Sequence, residues 1–210
     1  ASFFSNLKAT VEQYAQAQGN PFITNKTRDA VNFLKSLSTE YDLATTNPPY
    51  TDSGDFGPEL KVFIQENFKK PIKFHPNLYA TFIKRCDEFT GDDGKIAIIH
   101  PRTFMFIKSF EDVRKFILDK FHINVFVDYS LSNLFGSIMV DPAFYVLEKG
   151  ANEDHLAWFI SLDQYTRTPN EKHKKDFCLQ ALDDHIAGIN NEHNYSIPQS
   201  KLIVIKSWPF

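Results

Sequence analysis

The chain has 210 residues, 42% of them hydrophobic and 15% aromatic, enough to bury a substantial core in one domain with at most a small appendage. Its formal net charge of −3 carries no global signature for nucleic acid or membrane, so any DNA contact has to come from a local basic face. Cys86 and Cys178 lie far apart without metal-ligand spacing, no apolar run nears the ~20 residues of a membrane span, and the first residues lack a basic stretch followed by an apolar one, so a reducing, cytoplasmic setting without membrane attachment is expected.

Taken in chain order, "SFFSNLKATVEQYAQAQG" at residues 2–19 has apolar positions at helical spacing and predicts a helix stopped by Gly19. "TRDAVNFLKSLSTEY" predicts a second, with Val31, Phe33, Leu34 and Leu37 as its inward stripe. "YDLATT" then reads as a short buried strand, and Asn-Pro-Pro-Tyr comes directly after it. "GPELKVFIQENFKK" and "HPNLYATFIKRCDEFT" predict two helices, the second ended by the turn signal "GDDG" at residues 91–94. "KIAIIH" predicts a strand, and "SFEDVRKFILDKF" an amphipathic helix with Ser109 as N-cap and Glu111 and Asp112 in its first turn. "INVFVDYS", "AFYVLEKG" and "HLAWFISL" predict strands, and "EKHKKDFCLQALDDHIAG" a last helix before "SKLIVIKSW". Alternation over residues 41–128 implies an α/β layer structure with a mostly parallel sheet, and the runs after residue 140 imply antiparallel additions at one edge.

The stretch at residues 47–50 is the one that points to chemistry. Two adjacent prolines remove two backbone donors and fix two φ angles, so the chain leaves the sheet as a rigid segment. In an open α/β sheet ligands bind beyond the carboxyl ends of strands, which is where this loop falls. The Asn47 side-chain carbonyl and the Pro48 backbone carbonyl are two acceptors able to take both hydrogens of one amino group, and Tyr50 offers a flat face for a planar base. That set suits the exocyclic amine of a flipped adenine. Acceptors that hold both N–H bonds out of the ring plane favour a tetrahedral, more nucleophilic nitrogen, so orientation and preorganised dipoles replace a strong general base. The competing reading is a plain turn whose aromatic packs on the proline rings.

Other candidates are weaker. "TDSGDFG" reads equally as a mobile lid or a solvent loop, and Asp52 and Asp55 do not have calcium-loop spacing. Asp183, Asp184, His185 and His193 are close in sequence but lack the tight spacing of a zinc site, and no metal is expected. The basic clusters "KKPIKFH" and "RTPNEKHKK" are candidates for phosphate contact or simply charged helix ends. Only eight glycines occur and no two are spaced GxG, so a cofactor loop of the Rossmann kind is absent.

"YDLATTNPPY" resembles motif IV of the amino-methyltransferases that use S-adenosylmethionine. The chain is similar to the adenine-N6 DNA methyltransferases of restriction-modification and BREX phage-defence systems, through "NLYATFIKRCDEFTGDDGKIAIIHPRTFMFIKSFEDVRKFILDKFHI" and "NLFGSIMVDPAFYVLEKG", over roughly residues 40–150. The resemblance implies part of a Rossmann-like methyltransferase sheet, mostly parallel with antiparallel strands at one edge. It makes Asn47 and the Pro48 carbonyl the amine acceptors, Pro49 the stiffener, Tyr50 the stacking face and Phe135 a second aromatic against the base; Asn47 is also the one position expected near the cofactor. It places "HPRTFM" beside the active site without assigning roles.

The family's cofactor loop precedes NPPY by several tens of residues, whereas residues 1–46 here contain none. The expectation is therefore a central fragment: residues 1–150 a partial catalytic domain, residues 151–210 an extension toward a target-recognition region. On this reading the intact protein is an adenine-specific DNA methyltransferase, while this chain alone is inactive and binds S-adenosylmethionine weakly or not at all. The strand before NPPY is left as an exposed sheet edge. The implied partners are double-stranded DNA, the remainder of the polypeptide and other defence-system subunits. Two alternatives stay open: a protein glutamine N5-methyltransferase, which grips a side-chain amide with the same four residues, and a non-catalytic DNA-binding or assembly module.

Overall fold

The computed structural model describes residues 2–17, 21–129, 132–135, 138–150, 155–162 and 171–203. The chain divides into two compact units, Ala1–Tyr41 and Asp42–Phe210. In the first, α1 (Ser2–Ala17) packs against α2 (Pro21–Leu37), and Arg28 Nε lies 3.2 Å from Glu12 Oε1. Pro21 opens α2, where a missing N–H costs no helical bond. Gly19, the expected stop, lies outside the described residues. The expected inward stripe is corrected: Val31 is buried, but Phe33, Leu34 and Leu37 are exposed. Val31 and Phe33 are two residues apart, about 200° around a helix, and cannot share one face.

The second unit is built on a six-stranded sheet in the order β1, β2, β6, β3, β7, β8. Its strands are β1 (Tyr41–Thr46), β2 (Thr90–Pro101), β3 (Phe121–Asp128), β6 (Pro142–Lys149), β7 (Leu156–Ser161) and β8 (Asn194–Pro198). β4 (Ser132–Phe135) and β5 (Ile138–Val140) form a separate two-stranded hairpin. The mixed α/β class is as expected: β2, β3 and β7 share one direction, while β6 and β8 run opposite. The antiparallel strands are not gathered at one edge, however. β6 lies inside the sheet between β2 and β3, and β7 runs parallel to β3. The link from β3 to β6 contains a hairpin and no helix, so β6 returns antiparallel beside the strand it left.

Strand alternation sorts the side chains onto two faces. On one face Ile96, Ile98, Ile123, Tyr145 and Leu147 pack with α3 (Pro58–Phe68), α4 (Leu78–Phe89) and α5 (Glu111–Lys120) through Ile64, Ile83, Val113 and Ile117. On the other, Val127, Trp158 and Ile160 meet Ala181, Phe177 and Cys178 of α6 (Glu171–Ile186). The register of β3 shifts between Ile123 and Val125, and this bulge lets Ile123 and Phe126 face the same side. Gln199 plugs it: its Oε1 accepts the Ile123 N–H at 2.9 Å, and its Nε2 donates to the Phe121 carbonyl at 2.6 Å.

Four further expectations are corrected. β1 is not buried: it is the outermost strand, with Tyr41 and Leu43 exposed, which agrees with the expected sheet edge. "GDDG" belongs to β2, bent so tightly that a Cβ on Gly94 would fall 2.5 Å from the Thr90 Cβ. Ser109 does not cap α5, because residues 108–110 form a 3-10 turn running into the helix and Phe110 stands at the cap without a side-chain bond. "SKLIVIKSW" begins with a short α7 (Ser200–Ile203) after the unanticipated β8, and its remainder lies outside the described residues. The expected boundary at residue 150 falls between β6 and β7, two strands of one sheet. Among the described residues no helix is long and apolar enough to cross a membrane.

Candidate active site at the end of β1

β1 stops at Thr46, and Asn47–Tyr50 continue without regular structure. Pro48 is buried and Tyr50 is half-buried against the core, while Asn47 and Pro49 are exposed. The Tyr50 hydroxyl donates to Asn47 Oδ1 over 2.8 Å. Burial raises the Tyr50 pKa, which keeps that hydroxyl a donor.

The chain beyond the loop is tied to the start of α4. Leu78 N–H donates to the Thr51 carbonyl (3.0 Å) and Ser53 N–H to the Pro76 carbonyl (2.9 Å). Asn77 serves twice, donating Nδ2 to Asp52 Oδ1 (2.7 Å) and capping α4 by accepting the Tyr79 N–H (3.1 Å). With Phe56 also buried, "TDSGDFG" is anchored at both ends of its run. The Tyr79 ring stacks on His100 near the end of β2, with centroids 4.5 Å apart. This contact places the NPPY loop at the carboxyl end of β2.

His100 is fully buried, and desolvation lowers its pKa to about 4, so it is neutral. Its Nδ1 lies 3.0 Å from the Pro101 carbonyl, which can only accept, so the proton sits on Nδ1; Nε2 then accepts from the Tyr145 hydroxyl at 2.7 Å. Beside Asn47 a groove of about 460 Å³ runs along the sheet face lined by Thr45, Ala97, Ile99, Phe144 and Val146.

Phe135 lies in β4, its backbone paired with Ile138 of β5, and its side chain falls outside the described residues. Both ends of the segment that carries it meet Arg102 of "HPRTFM", through the Asp141 carbonyl and the Asp128 carboxylate. Sequence reasoning singled out that motif without assigning a role, and it passed over Asn77 and His100.

The remaining candidates are not brought together. His185 stacks on Trp158 (4.0 Å), Asp184 accepts from Gln180, and His193 lies 3.4 Å from Glu192. Among the described residues no group of three or more His, Cys, Asp or Glu side chains is placed to hold a metal ion. Of the basic clusters, Lys73 pairs with Asp112 at 3.2 Å. Lys174 is fully buried and donates to the Tyr129 carbonyl at 3.1 Å, so it is not available to phosphates. Residues 167–170 of the second cluster lie outside the described residues.

The fold is that of methyltransferase subunits. The type I restriction-modification system methyltransferase subunit from Streptococcus thermophilus superposes with a TM-score of 0.57 at 15% identity, over 79% of this chain and 36% of that one. Residues 3–135 match the Eco57I restriction-modification methylase family, and the chain belongs to that family. It is similar to the adenine-specific methyltransferase PglX of Lacticaseibacillus casei (strain Zhang), 32% identical over 92 residues, or 42% of this chain and 7% of that protein. It is also similar to the adenine-specific methyltransferase BrxX of Escherichia coli O9:H4 (strain HS), 24% identical over 149 residues, or 70% of this chain and 12% of that one. The chain thus spans about a tenth of the length of these two relatives.

Proposed function

We propose that this chain is the amine-binding part of an adenine-specific DNA methyltransferase of a restriction-modification or phage-defence system, working in the cytoplasm. The observation that carries the reading is the NPPY loop at the end of β1, in a chain of the Eco57I restriction-modification methylase family. Asn47 Oδ1 and the Pro48 carbonyl take the two hydrogens of the adenine N6 amine, and Pro49 keeps those acceptors from following thermal motion. Tyr50 stacks on the base, and Phe135 supplies a second aromatic. The substrate is double-stranded DNA with the target base flipped out, and the remainder of the polypeptide and other defence-system subunits are the further partners.

S-adenosylmethionine is the methyl donor this reading requires, supplying an electrophilic methyl for in-line attack by the amine. The described residues do not make its site. No GxG is present, and the groove beside Asn47 has no carboxylate in its lining for ribose hydroxyls. This chain's contribution is therefore to hold and orient the amine.

The test is Asn47→Ala in the intact protein, with methyl transfer to adenine in duplex DNA and DNA binding measured side by side. Transfer is expected to fall by about 10²-fold or more with DNA binding kept, the scale of losing a preorganised acceptor. Undiminished transfer overturns the site, and transfer to a protein glutamine instead of DNA overturns the substrate.

A further inference from the structure

Segment 129–141 leaves the sheet after β3 and returns at β6, and β6 lies between β2 and β3. The two roots of the β4–β5 hairpin therefore emerge side by side, next to the end of β2. Arg102, the first residue after β2, meets both. Its backbone N–H donates to the Asp141 carbonyl over 2.7 Å, one step past the last β2–β6 pair, Pro101 with Pro142. Its Nη1 lies 3.1 Å from Oδ2 of Asp128, the last residue of β3, whose side chain is fully buried. The guanidinium thus reaches across the start of β6 to the opposite root. Tyr129 N–H donating to the Pro142 carbonyl (3.0 Å) and Lys174 Nζ to the Tyr129 carbonyl (3.1 Å) hold the outgoing chain.

The NPPY loop is at the same end of the sheet. Thr51 is bonded to Leu78, Tyr79 stacks on His100, and Arg102 is two residues further on. A residue that ties both roots of the hairpin therefore governs how the hairpin leaves that end of the sheet.

We propose that Arg102 is a positioning residue that clamps the two roots of the β4–β5 hairpin at the end of the sheet where the NPPY loop stands. The clamp rests on the geometry alone; its effect on substrate rests on the proposed adenine-binding reading. A carboxylate as buried as Asp128 is costly to hold, so removing a cation 3.1 Å away loosens the outgoing root. Lysine keeps the charge but places it as a compact, strongly hydrated ammonium instead of a planar guanidinium.

The test uses Arg102→Ala, Arg102→Lys and the isosteric Asp128→Asn in the intact protein, with two readouts. Without DNA, amide exchange across residues 129–141 should quicken by about tenfold or more in Arg102→Ala and less in Arg102→Lys, with protection in β7 unchanged. With a duplex carrying 2-aminopurine at the target position, Arg102→Ala should lose the flipping signal and raise the KM for DNA by about tenfold, with a smaller fall in kcat. Unchanged exchange across 129–141 overturns the inference, as does exchange that quickens equally through the whole sheet. If Arg102→Ala does not fold, Asp128→Asn decides by the same exchange measurement. Asn47→Ala is run alongside: full methylation by that variant sinks the adenine reading, while hairpin exchange still decides the clamp.

Discussion

The Tyr50 hydroxyl donates to the same Asn47 oxygen that the proposed reaction needs as an acceptor for the substrate amine. In this state the acceptor is engaged by its own loop, which holds the Asn47 amide in place and keeps the polar atom satisfied. An incoming amine has to share or displace that hydroxyl.

Tyr50→Phe and Tyr50→Ala separate the two contributions of the residue. Tyr50→Phe removes only the competing donor, a bond contributing about 1 kcal/mol, and should shift the KM for DNA by no more than about fivefold. Tyr50→Ala also removes the stacking face and should weaken binding of the flipped base by roughly 5- to 150-fold. Steady-state kinetics on duplex substrate check both, and equal losses in the two variants would refute the stacking role.

His100 makes stability depend on acid. Its pKa is about 4 in the folded chain against an ordinary 6.5, so between these values the unfolded chain binds a proton that the folded chain refuses. Its stabilisation is complete above pH 6.5 and is lost as pH falls toward 4, a change on the order of 3 kcal/mol. Burial also lowers His75 and His122, which adds slope of the same sign. Denaturant unfolding from pH 4 to 8 should show the decline, and His100→Gln should flatten it without abolishing it. An equally steep decline in that variant would assign the effect elsewhere.

Gln199→Leu removes the side chain that fills the bulge in β3. The Ile123 N–H and Phe121 carbonyl lose their partner in the interior, for a cost of roughly 2–4 kcal/mol. Chemical denaturation measures it, and the loss should appear at neutral pH, unlike that of His100.

Gly94→Ala tests the bend at the start of β2. The new Cβ would meet the Thr90 Cβ at 2.5 Å and the Gly91 carbonyl oxygen at 2.9 Å, so backbone has to move. The expected destabilisation is about 1–3 kcal/mol, read as a lower melting temperature, whereas Gly54→Ala, which meets nothing within 4 Å, should be nearly silent.

Apolar pattern was a good guide where an element's neighbours were close in the chain. β2, β3, β6 and β7 each carry a short apolar run, and α4 is an amphipathic stretch. Pattern carries no direction, so the insertion of β6 between β2 and β3 could not be read from it. Nor does it say whether an apolar side chain finds a partner, which is why "YDLATT" and the Phe33–Leu37 stripe read as buried and prove exposed. The site divides in the same way. Asn47 to Tyr50 are legible because four adjacent residues carry the chemistry, whereas Arg102 and Asn77 act on groups 26 and 25 positions away, across a register that only the folded sheet defines.

β1 has a neighbour on one side only among the described residues, and its last residue hands the chain directly to Asn47. An edge strand thus sets the position of the proposed acceptors, and local fraying at that end of the sheet would unsettle them before the core noticed. Anything that zips onto the free rim of β1 would stiffen the acceptors from behind, so assembly at this rim and readiness to hold an amine are thermodynamically linked.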